Sequence, residues 1–240
     1  MVKTRLDQAL VTKGLVSTRS QAESYIKLGA VTVNSQPITK SGYLVDVTDS
    51  IRLTSNERYV SRAALKLASV VEMLQLDFNR KIVLDVGSST GGFTDYSLQH
   101  GASRVIAVEV GTEQLHPSLR GNSQIELHEQ TDIRHIEHLS AEPDIVLIDV
   151  SFISVRDILP HLLGLVSRQT LIVAMVKPQF EAQQSSMKHK GVIKNDTMRR
   201  QILKDFETWV QRICVIQNKA DSAVKGAKGN QERFYVLKKI

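Results

Sequence analysis

Only one cysteine, Cys214, occurs in the 240 residues, so no disulfide can form within the chain, and such thiol usage fits a reducing, cytoplasmic setting. Its neighbours, Arg-Ile-Cys-Val-Ile, suit an inert core thiol rather than a nucleophile. Long apolar runs are missing too. Leu171 to Val176 is typical of the longest, far below the ~20 residues that a helix needs to cross a bilayer. The opening Met-Val-Lys-Thr-Arg-Leu-Asp carries charge where a secretory signal would need an apolar core, so secretion is not expected. The seven histidines lack metal-site spacing: His135 and His138 lie close together without further ligands nearby. No metal is expected.

What the chain does hold is an ordinary apolar share, 42%, ample for a core, and an uneven distribution of charge. The net charge is +6. Residues 1–40 hold six Lys/Arg against two acids, whereas the rest of the chain holds 25 against 23, so +4 of the surplus falls in the first sixth. Such a concentration suits a polyanion such as nucleic acid, and equally suits a solvated surface that is simply basic.

That first stretch reads as two short helices and a few strands. Leu6, Ala9, Leu10 and Val11 give one apolar helical face, closed by Gly14. Thr18 followed by Gln21 has capping-box spacing and opens a second helix, with Ala22, Tyr25, Ile26 and Leu28 as its apolar face and Gly29 at its end. Val31 and Val33 alternate with Thr32, Asn34-Ser35 turns, and Pro37-Ile38 completes a hairpin. Val45 and Ile51 to Leu53 supply further strand. The polar run from Thr54 to Arg58 marks a boundary, which divides the chain into a module over 1–54, a linker over 55–61 and a larger domain over 62–240.

Arg5-Leu-Asp with Leu10 and Gly14, Thr18-Arg19, Gln21-Ala22, and Gly29-Ala-Val-Thr-Val-Asn34 together resemble the alpha-L RNA-binding module. That module, a small α+β domain, occurs in a small-subunit ribosomal protein, in pseudouridine synthases and in tyrosyl-tRNA synthetases. Its usual Asn-Gly turn is Asn34-Ser35 here. The resemblance implies docking of structured RNA, with Arg5, Lys13, Arg19 and Lys27 meeting phosphates from two short helices.

From Tyr59 onward, strands alternate with helices. Lys81 to Val86, Val105 to Glu109, Ile125 to His128, Asp144 to Asp149 and Thr170 to Val176 read as strands, most of them continuously apolar. This α/β pattern predicts a Rossmann-like, mostly parallel sheet covered on both faces. Ile213 to Ile216 and Phe234 to Leu237 are expected to pair as a final antiparallel hairpin. Between the first of these strands and its helix lies Leu84-Asp85-Val86-Gly87-Ser-Ser-Thr-Gly91-Gly92-Phe93, a glycine-rich turn where the backbone can approach a ligand. A dinucleotide site needs Gly-x-Gly-x-x-Gly facing a pyrophosphate. The order here differs, and the carboxylate of Asp85 would repel a pyrophosphate while suiting the ammonium of a methionine moiety. The pattern therefore favours S-adenosylmethionine, with Glu109 at the end of the next strand facing ribose hydroxyls. Asp132 stands where such folds contact an adenine amino group, though Asp-Ile-Arg also suits a helix start.

Asp149 and Lys177 end two adjacent strands, and Pro178 takes the chain out of the sheet after Lys177. Both side chains are expected at the carboxyl edge, as a reaction centre or as a salt bridge closing the strand ends. Asp85-Val-Gly-Ser-Ser-Thr-Gly-Gly-Phe-Thr94, Asp149-Val-Ser-Phe-Ile-Ser154, Lys177-Pro-Gln-Phe-Glu181 and Lys225-Gly-Ala-Lys-Gly-Asn-Gln-Glu232 resemble, in order, the hemolysin A-type (TlyA-type) ribosomal RNA methyltransferases. These are class I methyltransferases of the FtsJ-like group, and they also begin with the alpha-L module. The resemblance implies a Lys-Asp-Lys-Glu tetrad at Lys66, Asp149, Lys177 and Glu232. It also implies a cofactor pocket at Asp85, Gly87, Gly91, Gly92, Phe93, Glu109, Asp132 and Asp149, and methylation of a cytidine ribose 2′-hydroxyl in ribosomal RNA or ribosomal subunits.

A ribose hydroxyl is a weak acid, so methyl transfer to it needs orientation and some proton removal. A lysine base, with a reference pKa of about 10.4, requires desolvation or a neighbouring cation. Lys177 is expected to act as base or orienting group, with Lys66 as the neighbouring cation and Asp149 and Glu232 holding the ammonium groups. The polar stretch from Glu181 to Lys194 is expected to form a mobile loop over the substrate. Two other readings stay open: the family's hemolysin label suggests a membrane-lytic protein, and a retained fold without chemistry would leave an RNA-binding assembly factor.

Overall fold

The computed structural model describes residues 3–16, 19–27, 29–54, 59–187, 189, 191–226 and 229–240, without the side chains at 20, 24 and 27. The capping box at Thr18, the apolar contact of Leu28 and the side chain of Lys27 lie outside the described residues.

At the N-terminal end, α1 (Leu6–Thr12) buries Leu6, Ala9 and Leu10, spaced so that one face meets α2 (Arg19–Lys27), which buries Ala22, Tyr25 and Ile26. Two small sheets accompany them. β1 (Thr4–Arg5) pairs antiparallel with β4 (Leu44–Val45), while β2 (Val31–Val33) lies between β3 (Gln36–Pro37) and β5 (Ile51–Leu53). Asn34 and Ser35 turn β2 into β3 with φ values of 50° and 68°. This is the primed-turn geometry that favours Asn-Gly, so Ser35 tolerates a left-handed backbone that a glycine would adopt freely.

α3 (Arg62–Leu74) opens at Ser61, whose hydroxyl accepts the Ala63 N–H, and closes at Gln75 in the left-handed conformation. Ala64, Leu65, Leu67, Val70 and Leu74 form its buried face, each fully buried leucine contributing on the order of 2 kcal/mol. The same apolar cluster takes in Leu6, Leu10 and Ile26 from the N-terminal module, Val83 from the large sheet and Phe93 from the helix after its first strand, so one core runs through both parts.

The large sheet has seven strands: β6 (Ile82–Val86), β7 (Arg104–Val108), β8 (Ile125–His128), β9 (Ile145–Ile148), β10 (Leu171–Val176), β11 (Cys214–Asp221) and β12 (Arg233–Lys239). Their order is β11-β12-β10-β9-β6-β7-β8. β6 to β10 are mutually parallel, and β12 is antiparallel to both of its neighbours. Alternate residues face opposite layers. On β6, Val83 joins the core beneath α3 and α4 (Gly92–Gln99), while Leu84 and Val86 join a second core with α5 (Leu159–Leu165) and α7 (Asp196–Val210). The chain leaves β6 for β7 on one side and reaches β9 on the other, so a crevice opens outside the carboxyl ends of β6, β7 and β9.

The first part of the stretch from Glu181 to Lys194, expected to form a mobile loop, is regular. α6 (Pro178–Glu181) and a 3-10 turn (Ala182–Gln184) follow Lys177 directly. Asp205 on α7 accepts hydrogen bonds from the hydroxyls of Ser185 and Ser186 and from the Ser186 N–H, and Ala182, Ile193 and Ile202 share a small apolar cluster. Lys188 and Lys190 lie outside the described residues; Gln183, Gln184, Ser186, Gly191 and Lys194 are exposed.

Candidate active site

The crevice holds two adjoining cavities. One, of about 340 Å³, is lined by Gly87, Ser89, Glu109, Val110, Gln114, Asp132, Ile133 and Asp149, among others. The second, of about 130 Å³, is lined by Ser61, Asp85, Gly87, Ser88, Gly92, Phe93, Asp149, Ser151 and Lys177, among others. Gly87, Ser89, Asp149 and Ser151 border both.

Asp85 is fully buried, accepts the Thr94 hydroxyl at 2.7 Å through Oδ2, and leaves Oδ1 without a partner. Burial pushes its carboxyl up to about 7, the charges of Asp149 and Glu109 add to the rise, and the Thr94 bond opposes it. The Ser88 hydroxyl is likewise buried and unpartnered. An orphaned carboxylate oxygen and hydroxyl beside a small polar cavity fit a ligand carrying a cationic amino group.

The glycines are constrained by protein as much as by any ligand. A Cβ on Gly87, at φ +83°, would come within 2.8 Å of Asp149 O, and one on Gly92 would strike Ser61 and Ala63 at the head of α3. Gly91, at φ +87°, lines neither cavity: its Cβ would meet Leu115 and Leu119 at 2.7 and 2.6 Å. At this position the absent side chain lets the turn pass beneath the segment over 110–121. That segment also grips the turn through the Ser89 hydroxyl bond to Gln114 Oε1 and the His116 N–H bond to Thr90 O. Phe93 lines the smaller cavity and packs against Phe234, with ring centroids 6.1 Å apart.

Glu109 and Asp132 both border the larger cavity, and both already serve the fold. Glu109 accepts the Ser89 N–H (2.9 Å) through one oxygen and the Gly111 N–H (2.7 Å) through the other, so the longer acid bridges the glycine-rich turn and the end of β7. Asp132 caps a 3-10 turn by accepting the Arg134 N–H and forks with the Arg134 guanidinium, which holds its carboxyl down at about 2. The alternative noted from the sequence, a helix start, and the cavity-lining position both hold for this residue.

The four tetrad residues form two ion pairs. Lys177, at the end of β10 and only 8% exposed, has its Nζ 2.6 Å from Asp149 Oδ1 and donates a hydrogen bond to Ser151 Oγ at 2.8 Å. Asp149 Oδ1 receives no well-aligned hydrogen bond, so direction comes from Ser151 and charge from Asp149. Lys66, on α3, donates to Glu232 Oε1 at 3.0 Å. The register of β10 against β12 pairs Val176 with Arg233, which puts Lys177 and Glu232 at neighbouring strand ends.

Ser151 and Phe152 escaped notice as site residues, although both stand in the quoted Asp149-Val-Ser-Phe segment. Phe152 is 90% exposed with φ +71°, and its ring lies 5.5 Å from that of Phe180. Lys177 Nζ stands 5.9 Å above the Phe180 ring. A left-handed phenylalanine turned into solvent beside a buried lysine is an unusual arrangement.

The four positions expected to meet RNA divide. Arg5 forks onto Asp7 at 3.0 Å through two nitrogens, and Arg19 Nε reaches the same carboxylate at 2.7 Å. Asp7 is fully buried, whereas both guanidinium groups stay about half exposed. Lys13, at the end of α1, is exposed. Among the described residues, no group of three or more His, Cys, Asp or Glu could hold a metal ion, and no helix is long and apolar enough to cross a membrane.

A mostly parallel seven-stranded sheet, with an antiparallel strand inserted next to its edge and a glycine-rich turn after β6, is the architecture of a Rossmann-like methyltransferase. The chain belongs to the FtsJ-like methyltransferase family, whose model matches residues 59–239, and an S4 domain matches residues 4–51. It is similar to hemolysin A of Brachyspira hyodysenteriae, 36% identical over 95% of this chain and 97% of that one. It is also similar to the 16S/23S rRNA (cytidine-2'-O)-methyltransferase TlyA of Mycobacterium tuberculosis, 35% identical over 98% and 90%. Among solved structures, a candidate hemolysin from Streptococcus thermophilus superposes with a TM-score of 0.71 at 34% identity, covering all of this chain and 89% of that one.

Proposed function

We propose that the protein transfers a methyl group from S-adenosylmethionine to the ribose 2′-hydroxyl of cytidine in ribosomal RNA. The observation that carries this reading is the Lys177 ammonium, buried at the mouth of the two-cavity crevice and aimed by Asp149 and Ser151. Relatives named as rRNA (cytidine-2'-O)-methyltransferases, aligned over most of the chain, support the substrate.

S-adenosylmethionine supplies an electrophilic methyl on a sulfonium, so no covalent enzyme intermediate is needed. Asp85 and the free Ser88 hydroxyl suit its amino end, with Gly87, Gly92 and Phe93 shaping that cavity and Gly91 supporting the turn. Glu109, Asp132 and Asp149 border the larger cavity, where ribose and adenine fit. Lys177 orients the attacking hydroxyl and, as the neutral amine, takes up its proton, becoming the ammonium that Asp149 holds. Lys66 and Glu232 form the second pair beside it. The exposed ring of Phe152 offers a nucleobase a surface to stack on.

The module over 1–54 docks RNA through Arg5, Lys13, Arg19 and Lys27, with 55–61 as linker and 62–240 as the transferase. Ribosomes or their subunits are the partner, which makes the cytoplasm the place of work. A buried, paired lysine and aspartate at a ligand crevice have no evident use in a lytic protein or a passive assembly factor.

Single-turnover transfer of labelled methyl to unmodified ribosomal RNA or subunits, with mapping of the modified ribose, tests the proposal. Lys177→Ala lowers turnover by roughly two to four orders of magnitude while cofactor affinity holds. Lys177→Arg fails as well, because guanidinium does not give up its proton. Absence of ribose methylation by the wild-type protein refutes the reading.

A further inference from the structure

Glu181 carries a buried carboxylate that the proposed chemistry does not use. It closes the Lys177-Pro-Gln-Phe-Glu181 segment, and its N–H returns to Lys177 O at 3.2 Å across α6. Its side chain crosses to the segment that follows β9. Oε1 accepts the Val155 N–H at 2.8 Å, Oε2 accepts the Ser154 hydroxyl at 2.6 Å, and Arg156 Nε stands 3.3 Å from Oε2. Arg156 in turn lies 5.5 Å from the Trp209 ring and 6.0 Å from the Phe206 ring of α7, and donates to Gln184 O.

Burial raises the pKa of Glu181, the hydrogen bonds from Ser154 and Val155 oppose the rise, and Arg156 adds its charge to theirs. An apolar side chain would join the same two segments without that desolvation. What the carboxylate adds is direction: two hydrogen bonds fix where Ser154 and Val155 sit relative to α6. Between the anchors and the end of β9 lie only 149–153, which include Asp149 and Ser151, both in contact with Lys177. The loop bearing Asp149 and Ser151 and the helix beginning after Lys177 are therefore tied at both ends, by Lys177 on one side and by Glu181 on the other.

We infer that Glu181 is a positioning residue, which sets the Asp149–Ser151–Lys177 geometry by locking the segment after β9 onto α6. The catalytic consequence rests on the methyl-transfer reading above; the geometric one does not.

Limited acetylation of the full-length protein, followed by peptide mass spectrometry, reads the lock directly. In Glu181→Gln and in the milder Ser154→Ala, Lys177 is acetylated several-fold faster than in wild type. Lys66, held by Glu232 on a different pair of elements, is acetylated at an unchanged rate. Methyl transfer by the same variants loses roughly tenfold to a hundredfold in kcat, the scale of a small misplacement of reacting groups, with RNA KM and cofactor Kd held to within about twofold. Unchanged Lys177 acetylation, or an equal rise at Lys66 and Lys177, overturns the inference. If wild type transfers no methyl yet Lys177 still responds selectively, the activity reading fails and the positioning role stands.

Discussion

Lys66 and Glu232 lie 166 positions apart, yet their side chains meet at 3.0 Å in a pocket that leaves Glu232 only 3% exposed and its Oε2 unpartnered. Removing one member strands the other. Lys66→Ala is expected to cost about 3 kcal/mol of stability, since an uncompensated buried charge is left behind. Lys66→Met combined with Glu232→Gln recovers most of that loss without recovering methyl transfer. Urea unfolding of the two variants checks this; a double variant as unstable as the single one would locate the loss elsewhere.

Gly91→Ala is expected to weaken cofactor binding from outside the cavities. The new Cβ meets Leu115 and Leu119, and the left-handed backbone adds about 1–2 kcal/mol of strain. Adding Leu115→Ala relieves the contact but not the backbone, so calorimetry should find cofactor affinity only partly restored. Full restoration would mean that φ at Gly91 is not limiting.

Asp85 makes both stability and cofactor binding depend on pH. In the unfolded chain its carboxyl titrates near 3.8, and in the folded protein near 7. Between those values the folded state retains a proton that the unfolded chain has released. Stability from this group is thus fully present below the lower value and is lost as pH rises through the upper one. A cationic ligand favours the carboxylate, so cofactor binding releases a proton at about pH 6, and Asp85→Asn abolishes that release. Calorimetry in two buffers of different ionisation enthalpy measures it; equal heats in the wild type contradict the assignment.

Because Arg5 and Arg19 share buried Asp7, charge reversal at Arg19 confounds RNA affinity with stability of the module. Lys13, exposed at the end of α1, is the cleaner probe. Lys13→Gln is expected to weaken RNA binding, to lower the salt slope by about one, and to leave the unfolding midpoint unchanged. An unaltered slope would move the phosphate contact away from α1.

Strands buried on both faces, such as β9 and β10, were legible as unbroken apolar runs, β6 as one interrupted only by Asp85, and the turn after β6 was marked by its glycines. β11 was read too short, since Gln217 to Lys219 carry polar residues on a strand at the sheet edge, where a bulge between Ile216 and Asn218 breaks the alternation. Asp149 and Lys177 could be found from their strand-end positions alone. Lys66 and Glu232 could not, because a helix lysine and a strand-end acid have no local mark, and only resemblance singled them out. The grip of Asp7 on Arg19, and that of Asp205 on Ser185 and Ser186, depends on partners 12 to 20 positions away, which periodicity cannot report.

β12 follows every other strand in the chain and yet inserts between β10 and β11, carrying Glu232 just ahead of it. While the chain is being synthesised, β10 therefore waits with an open edge, and Lys66 waits without its partner. A product stalled before β12 would therefore expose an unpaired hydrophobic strand edge at β10.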